Sequence, residues 1–298
     1  MNSAKVWMSA FRLRTLPLSL SCVFTGSAFI AFSPQVGWLL LLIGVTTIFL
    51  QILSNLANDY GDFQNGADTD ERVGPKRTVQ SGAISPASMK KAMTIFAALS
   101  FISGCGILLW LGYQLGWIYS LIFLALGIFS IWAAIRYTSG ENPYGYRGLG
   151  DVYVFLFFGL VGVLGTAYIH LLKLDWKMFF PAFAMGMLAT AVLNLNNMRD
   201  IHTDEATGKI TIPVKLGAKK AKNYHLFLIL AAWICIGATL IFLTSHWSNW
   251  LVLAVLPLHI VHIKKVFQTH ESQQLDPELK KIALSAFVIA LIFLITPI

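Results

Sequence analysis

Long apolar runs, separated by short polar loops, dominate the pattern of this sequence. Nine of them have roughly the length of about 20 residues that a helix needs to cross the hydrocarbon core of a bilayer. In chain order the runs are residues 16–32, 38–57, 92–111, 117–136, 152–172, 178–197, 224–244, 249–263 and 282–297. We expect each run to form a transmembrane helix, and residues 1–298 to form a single all-α, polytopic domain embedded in the lipid bilayer.

The basic residues indicate on which side of the membrane each loop lies. Lys and Arg concentrate in the cytoplasmic loops of polytopic membrane proteins. If all nine runs cross the membrane, every one of the 22 Lys and Arg residues except Lys173 and Lys177 falls on one side. A missed helix would exchange the two sides for every later loop and destroy this segregation. The pattern therefore predicts nine helices, an amino terminus in the cytoplasm and a carboxyl terminus outside.

The composition agrees with a membrane protein. Apolar residues make up 56% of the chain and charged residues 12%, which is about half the charged fraction of a soluble domain. This excludes a soluble globular protein and a disordered chain. A disulfide-rich secreted module is excluded too, because Cys22, Cys105 and Cys235 all lie within apolar runs. Cytoplasmic loops account for the net charge of +8, so we expect no nucleic-acid partner.

The acidic residues gather in two clusters, each at the end of a predicted helix. The first cluster follows the second apolar run, and its polar members are Asn55, Asn58, Asp59, Asp62, Asp68 and Asp70. The first four have the spacing that places side chains on one face of a helix. Polar side chains at a membrane span are costly and indicate function. A face of neighbouring carboxylates is best explained by a bound cation, because the carboxylates otherwise repel one another.

The second cluster follows the sixth apolar run and contains Asn194, Asn197, Asp200 and Asp204. Each cluster begins with Asn-Leu-x-Asn and is followed by a polar loop and then Lys-Lys-Ala, at Lys90 and at Lys219. The second and sixth helices run in the same direction, so both clusters face the cytoplasm. The second and third helices and the sixth and seventh helices are therefore candidates for an internal repeat. A chance match of so short a pattern is the alternative.

Two carboxylate clusters with Lys and Arg between them are suited to a magnesium diphosphate. Mg²⁺ prefers hard oxygen ligands and usually binds through a few carboxylates and the phosphate oxygens of a substrate. Lys and Arg are the usual partners of those phosphate oxygens. The simpler interpretation, solvated loops that set the topology, explains the charges but not the asparagines that begin each cluster. The sequence has no Walker A, GxSxG or HExxH motif.

Two further patterns have a structural and a functional interpretation. Gly159, Gly162 and Gly165 share one side of the fifth predicted helix, which favours close helix packing; a flat cavity for a ring is the alternative. His259 and His262 are three residues apart near the end of the eighth run, where packing is favoured over metal or haem ligation. Neither pattern by itself identifies a site.

The paired acidic motifs resemble those of a known family. Asn58-Asp59-x-x-Asp62, followed by an acid and later by Asp200-x-x-x-Asp204, is similar to the motif pair of the UbiA superfamily of intramembrane aromatic prenyltransferases. The likeness extends over most of the chain, and the stretches that carry it include residues 11–17, 146–152 and 197–211. In combination they look like the branch of the superfamily whose acceptor is 1,4-dihydroxy-2-naphthoate.

One position departs from the common form of the first motif. Gly66 stands where the superfamily usually has its last acid, and the next acids are Asp68 and Asp70. The naphthoate branch is similar in having this longer form. Either Asp68 or Asp70 therefore completes the motif.

The resemblance implies a fold and an activity. The family has nine transmembrane helices, the number that the charge pattern predicts. The implied reaction is Mg²⁺-dependent transfer of a polyprenyl group from polyprenyl diphosphate to 1,4-dihydroxy-2-naphthoate, with loss of the ring carboxylate, to give a demethylmenaquinone. The implied location is the inner (cytoplasmic) membrane of a bacterium, as a multi-pass protein.

The resemblance also implies roles for individual residues. The expected Mg²⁺ ligands are Asp62, Asp68, Asp200 and Asp204, assisted by Asn58. The residues expected to bind the diphosphate are Lys76, Arg77, Arg147 and Lys209. The residues expected to orient the acceptor are Asn55, Tyr137, Asn194 and Asn197.

Two other functions remain open at this point. A sister prenyltransferase that acts on 4-hydroxybenzoate, homogentisate or a tetrapyrrole would share the Mg²⁺ chemistry and differ only in the acceptor. A secondary transporter built from two repeats belongs to another class. Transporters place ionisable or broken-helix sites near the middle of the bilayer, whereas the acids of this chain stand at helix ends. The sequence therefore favours the enzyme.

Overall fold

All the regular structure in the computed structural model is helical over the residues that it describes, which are 3–31, 33–68 and 73–296. Asp70, one of the two candidates for the last acid of the first motif, lies outside them. The helices are α1 (Ser3–Phe11), α2 (Leu16–Ser27), α3 (Pro34–Gln64), α4 (Pro86–Leu115), α5 (Trp117–Arg136), α6 (Gly150–Leu171), α7 (Trp176–Arg199), α8 (Ile201–Ala206), α9 (Ile212–Leu216), α10 (Ala218–Leu243), α11 (Trp247–Gln268) and α12 (Asp276–Ile295).

Seven of the described helices, α3 to α7 with α10 and α11, are long and apolar enough to cross a membrane. They coincide with the second to eighth predicted runs. The first and ninth runs are also helical, as α2 and α12. However, α2 has only 12 residues, and α12 carries Glu278, Lys280 and Lys281 within its first two turns. The seven long helices make the chain a polytopic membrane protein.

The membrane helices extend beyond the apolar runs that predict them. α3 begins after Ser33, whose hydroxyl accepts a hydrogen bond from the Val36 amide at 3.2 Å, and it continues to Gln64. α4 begins with a similar Ser-Pro cap at Ser85. Such caps satisfy amides that a helix start leaves unpaired. Because α3 continues past its apolar part, residues 55–62 lie on one continuous helix, as their spacing predicts.

α7 is the most buried of the seven spanning helices. Its Leu188 and Leu195 belong to a core that includes Ile236 of α10 and Phe293 of α12. α3, α4 and α5 pack together as a second group, which has Leu53 in its core. Because lipid chains are as apolar as leucine, these contacts stabilise the fold mainly through close packing rather than through removal from water.

Glycines allow α6 to approach α7 closely. α6 is π-helical over Phe155–Gly165. A Cβ atom on Gly159 would lie 2.7 Å from the Ala182 carbonyl oxygen and 3.0 Å from the Gly186 Cα. Gly162 and Gly165 instead line the large cavity described below. Gly159 therefore allows close helix packing, whereas Gly162 and Gly165 form part of the cavity wall.

We expect Gly159→Ala to lower the stability of the protein. The added methyl group would meet the Ala182 carbonyl oxygen at 2.7 Å, and overpacking of this kind costs about 1–3 kcal/mol. The matched control is Gly237→Ala in α10, where a Cβ atom meets nothing within 4 Å. Thermal unfolding in detergent, followed by circular dichroism, should show an earlier transition for Gly159→Ala only. Equal transitions for the two variants would contradict close packing at Gly159.

The histidines singled out in the sequence join helices to one another. His262 Nδ1 lies 2.6 Å from Glu278 Oε2 of α12, and its Nε2 lies 2.8 Å from His225 Nε2 of α10. His259 Nδ1 accepts a hydrogen bond from Trp233 Nε1 at 2.9 Å. These bonds connect α10, α11 and α12 and support the packing interpretation of the two histidines.

Candidate active site

A cavity of about 770 Å³ opens beside the two acidic clusters. Its polar end is lined by residues at the ends of α3 and α7, among them Asn58, Asp62 and Asn197. The rest of its wall comes mostly from apolar residues of α2, α4, α5 and α6. A cavity with one charged end and a long apolar wall is suited to an amphiphilic ligand with an anionic head.

Asp62 lies at the centre of the polar end, and its side chain is almost fully buried. Its Oδ1 accepts a hydrogen bond from the Tyr146 hydroxyl at 2.8 Å, and its Oδ2 accepts one from Arg77 Nη2 at 3.2 Å. Lys209 Nζ lies 3.9 Å from Oδ1. This carboxylate therefore accepts two hydrogen bonds and has one ammonium group nearby, from three separate segments of the chain.

Lys209 connects the two acidic clusters. Its Nζ lies 3.5 Å from Asp204 Oδ1 and 3.9 Å from Asp62 Oδ1. Gly208, with φ of +73°, makes the turn that brings Lys209 back towards Asp204, and the Lys209 amide donates to the Asp204 carbonyl at 2.8 Å. The clusters lie far apart in sequence and meet at this ammonium group.

Arg77 joins Asp62 to Asp68. Its Nε lies 3.7 Å from Asp68 Oδ1. The next residue, Thr78, donates hydrogen bonds from its amide and its hydroxyl to Asp59 Oδ2. Asp59 is not among the residues that line the cavity. Its role is therefore to hold the loop that carries Arg77.

Asp200 binds a different partner. Arg199 Nε and Nη2 donate to its two carboxylate oxygens at 2.9 and 2.8 Å. Arg199 Nη1 lies 2.6 Å from Asp276 Oδ1, at the start of α12. Paired contacts of this kind fix orientation as well as charge. Asp200 is thus part of an arginine-centred group, whereas Asp62 and Asp204 share Lys209.

Burial and repulsion change the protonation of the site. Burial raises the pKa of Asp204 to about 6; Lys209 opposes this rise, and the carboxylates of Asp200 and Asp62 add to it. Burial and the neighbouring Asp62 raise the pKa of Tyr146 well above its usual range. The Tyr146 hydroxyl therefore stays protonated and donates to Asp62. The elevated pKa of Asp204 thus reflects mainly its burial, with a smaller contribution from the neighbouring carboxylates.

The donor set fits a divalent cation that prefers oxygen. Asp204 Oδ2 is buried without a hydrogen-bond partner, which is costly unless another group binds it. Asp62, Asp68 and Asp204 offer carboxylate oxygens, the ligand type of Mg²⁺. Within the described part of the chain, no three His, Cys, Asp or Glu side chains already form a metal-binding group. Arg77 and Lys209 lie between the carboxylates, so the residues expected to bind metal and those expected to bind phosphate share one site.

Two of the four residues expected at the acceptor make contacts within the fold. Asn55 Nδ2 donates to the Phe11 carbonyl oxygen and to the Thr15 hydroxyl, each at 2.9 Å. Asn194 is fully buried and donates to the Ala221 carbonyl oxygen at 3.3 Å, between α7 and α10. Asn55 also lines the cavity, whereas Asn194 does not. The structure therefore places Asn194 away from any ligand in the cavity.

Tyr137 and Asn197, the other two residues expected at the acceptor, line the cavity. Asn58 lines it as well, and its Oδ1 accepts a hydrogen bond from the Thr138 hydroxyl at 3.2 Å. These three side chains lie at the same polar end as Asp62. They are the expected residues that the structure brings together at this end of the cavity.

Of the four cations expected at the diphosphate, the structure brings Arg77 and Lys209 to the carboxylates. Lys76 and Arg147 are exposed, and neither lines the cavity. The Arg147 carbonyl oxygen instead accepts a hydrogen bond from Lys215 Nζ at 3.0 Å. Of these four cations, only Arg77 and Lys209 lie beside the carboxylates of the cavity.

Sequence reasoning missed Arg199 and Asp276. Arg199 directly precedes Asp200 in the second cluster, so its position next to an acid could have indicated it. Asp276 lies near the other end of the chain, and no local pattern links it to the clusters. Its contact with Arg199 depends on the packing of α12 beside α7, which the sequence does not reveal.

Comparison with known proteins assigns the chain to a family. It matches the UbiA prenyltransferase family over residues 19–294. The chain belongs to this family. It is 42% identical over 293 residues to the 1,4-dihydroxy-2-naphthoate octaprenyltransferase of Haemophilus influenzae, covering 97% of this chain and 94% of that protein. It is 38% identical over 298 residues to the Escherichia coli enzyme of the same name, covering 99% and 95%. The family predicted from the motifs is confirmed.

A solved structure agrees on the UbiA fold. A UbiA homologue from Archaeoglobus fulgidus, bound to GPP and Mg²⁺, matches with a TM-score of 0.65 at 15% identity, covering 98% of this chain and 100% of that chain. The described helices thus form the fold of a UbiA-family enzyme. The protein is a membrane prenyltransferase.

Proposed function

We propose that this UbiA-family enzyme transfers a polyprenyl group from an allylic diphosphate to 1,4-dihydroxy-2-naphthoate in a reaction that requires Mg²⁺. The observation that carries the proposal is the meeting of both acidic clusters at Lys209, at the charged end of a largely apolar cavity. The relatives that are 42% and 38% identical are named 1,4-dihydroxy-2-naphthoate octaprenyltransferases. Their names support the naphthoate as the acceptor.

The polar end of the cavity binds and activates the diphosphate. Asp62, Asp68 and Asp204 would hold Mg²⁺, with Asp200 next to them. When bound, Mg²⁺ neutralises diphosphate charge and makes the diphosphate a better leaving group. Arg77 and Lys209 donate to the phosphate oxygens and stabilise the charge that develops as the diphosphate departs.

The bond changes follow from the two substrates. The allylic C–O bond breaks, and its electron pair leaves with the diphosphate. The electron-rich naphthoate ring attacks the resulting allylic cation and forms a C–C bond. The carboxylate leaves as CO₂, and its electron pair restores the aromatic ring. The product is the reduced form of a demethylmenaquinone, and its oxidation to the quinone is a separate reaction.

The apolar part of the cavity accommodates the polyprenyl chain and protects the cation. Phe157 and Phe158 of α6 line it, together with Phe123 of α5. Aromatic faces attract cations, and an apolar wall excludes the water that would otherwise trap the allylic cation. Loss of this wall would favour hydrolysis of the diphosphate over transfer.

The proposed topology has nine membrane helices, with α2 and α12 as the first and last. The amino terminus lies in the cytoplasm, the carboxyl terminus lies outside, and the membrane is the inner membrane of a bacterium. The segregation of Lys and Arg supports this orientation. It places both acidic clusters at the cytoplasmic face, where a polar acceptor is available.

Residues 1–298 are proposed to form one domain with an internal repeat. In each half, the helix that carries an acidic cluster packs along the next long helix: α3 on α4, and α7 on α10. A repeat of this kind would bring two equivalent helix ends together at one site. It supports a single catalytic centre between the two halves.

A product assay tests the proposed function. The purified protein in detergent receives 1,4-dihydroxy-2-naphthoate and an allylic diphosphate, with either Mg²⁺ or EDTA. Mass spectrometry should detect a prenylated naphthalene product without the carboxylate, and only with Mg²⁺. Product with 4-hydroxybenzoate or homogentisate alone would assign the protein to a sister branch. No product with any acceptor would contradict the enzyme proposal and favour a transport assay.

A further inference from the structure

A second group of cations lines the cavity, separate from Arg77 and Lys209. It includes Arg12, Arg14, Arg199 and Lys280, and we call the last three residues the basic corner. These three come from the turn before α2, the end of α7 and the first turns of α12. The proposed reaction assigns them no ligand so far.

The turn before α2 is held firmly in place. It contains the short 3-10 segment Leu13–Thr15, preceded by Arg12 with φ of +48°. This left-handed conformation is uncommon for a residue other than glycine and is concentrated at functional sites. The Thr15 hydroxyl donates to the Arg12 carbonyl at 3.0 Å, and Asn55 Nδ2 donates to Thr15 Oγ1 at 2.9 Å. Asn55 thereby fixes the turn that carries Arg14 against α3.

Asp276 contacts the two arginines of the basic corner. Its Oδ1 lies 2.6 Å from Arg199 Nη1, and its Oδ2 lies 3.9 Å from Arg14 Nη1. The Arg14 side chain is 54% exposed, so it has donors to spare after this long contact. Lys280 is exposed and has no ion-pair partner within the residues that the structure describes. The corner thus has three cations against the two carboxylates of Asp276 and Asp200, an excess of positive charge that attracts an anion.

The reaction joins two anionic substrates, and each needs its own cations. Arg77 and Lys209 lie among the carboxylates that suit Mg²⁺, so they are matched to the diphosphate. The basic corner is separated from these carboxylates in its partners, because its Arg199 binds Asp200 and Asp276. Arginine binds a planar carboxylate through a fork of two parallel donors. We propose that the basic corner binds the carboxylate of the aromatic acceptor, with Arg14 as its principal donor.

This inference rests on the proposed function, because it requires an acceptor with a carboxylate. It makes Asn55 and Asp276 positioning residues: Asn55 holds the turn before α2, and Asp276 orients Arg14 and Arg199. A ring bound at the corner lies next to Asp200, and hence beside the diphosphate site. The other anion that the same cations could bind is the diphosphate itself, so the test separates the two.

The test measures equilibrium binding, which does not depend on turnover. The probes are 1-hydroxy-2-naphthoate and 1-naphthol, which differ only in the carboxylate and are followed by their own fluorescence. In Arg14→Gln, the Kd of 1-hydroxy-2-naphthoate should rise by about 10- to 100-fold, as expected for the loss of a charged hydrogen-bond partner. The Kd of 1-naphthol and the KM of the prenyl diphosphate should stay at wild-type values.

Two further variants keep the test specific. Arg14→Lys keeps the charge but loses the fork, so its Kd for 1-hydroxy-2-naphthoate should fall between those of the wild type and Arg14→Gln. Lys5→Gln is the matched control, because Lys5 is an exposed cation on α1 that does not line the cavity. It should bind both probes as the wild type does.

Three results would overturn the inference. A higher KM for the prenyl diphosphate with an unchanged Kd ratio of the two probes would assign the corner to the diphosphate. An equal loss of affinity for both probes would make Arg14 a structural residue. Equal affinity of the wild type for the two probes would mean that no carboxylate site exists. Failure of the product assay with preserved discrimination between the probes would instead overturn the proposed function alone.

Discussion

The Asp62→Asn variant is expected to lose about 100- to 1,000-fold in turnover, the usual effect of removing one group that stabilises transition-state charge. The exchange keeps the size of the side chain and an oxygen that can accept from Tyr146. It removes the negative charge that Arg77 and Lys209 share. Because Asp62 is also a proposed Mg²⁺ ligand, the variant should need more Mg²⁺ to reach half of its own maximal rate. Initial rates over a series of Mg²⁺ concentrations measure both effects.

Glu141→Gln is the control for this variant. Glu141 is an exposed acid in the loop between α5 and α6, and it does not line the cavity. Its replacement removes one negative charge from the same side of the protein and should leave the rate unchanged. If Asp62→Asn keeps near wild-type activity, Asp62 is not a metal ligand. If it loses activity only because it unfolds at a lower temperature, its role is structural.

The spanning helices were predictable because a bilayer imposes a simple rule. Every backbone polar group within hydrocarbon must be bonded inside its own segment, so a continuous apolar run implies a helix. The rule applies only to the part of a helix that lies within the hydrocarbon core. It therefore could not predict that α3 continues to Gln64 or that α2 stops at Ser27, because polar caps and packing set those ends.

The positions of the acids were predictable from spacing, but their partners were not. Helical spacing places Asn55, Asn58, Asp59 and Asp62 along one face of α3, and α3 is indeed continuous there. Lys76 and Arg77 are adjacent, and spacing gives no reason to prefer either. The hydrogen bond between Thr78 and Asp59 determines which of the two reaches the carboxylates, because it fixes the loop so that Arg77 lies beside Asp62.

Buried helices limit the prediction of side-chain roles further. Asn194 and Asn197 lie three residues apart on α7, and spacing suggests one shared role. α7 is surrounded by other helices, so Asn194 meets the carbonyl of Ala221 on α10, whereas Asn197 lines the cavity. Periodicity identifies faces of a helix, but only the packed neighbours decide which face meets a ligand.

Asp204→Asn is expected to lower turnover by a similar factor of about 100 to 1,000, for a different reason. Asp204 Oδ2 is buried without a hydrogen-bond partner, so the carboxylate is held ready for a cation. The amide group of Asn keeps an oxygen for Lys209, but it has no negative charge and cannot supply the second anionic oxygen. The contact between the Tyr146 hydroxyl and Asp62 should survive, because Asp204 takes no part in it. Mg²⁺ titrations of the initial rate should therefore show that the variant needs more Mg²⁺ to reach half of its own maximal rate, in a protein with wild-type stability.

Glu205→Gln is the matched control, because Glu205 is the next residue in α8 and is exposed. It removes one negative charge a single residue away and should leave both the rate and the Mg²⁺ dependence unchanged. Equal losses in Asp204→Asn and Glu205→Gln would mean that the net charge of α8, rather than ligation by Asp204, supports activity. A loss in Asp204→Asn that added Mg²⁺ partly restores would identify Asp204 as a ligand.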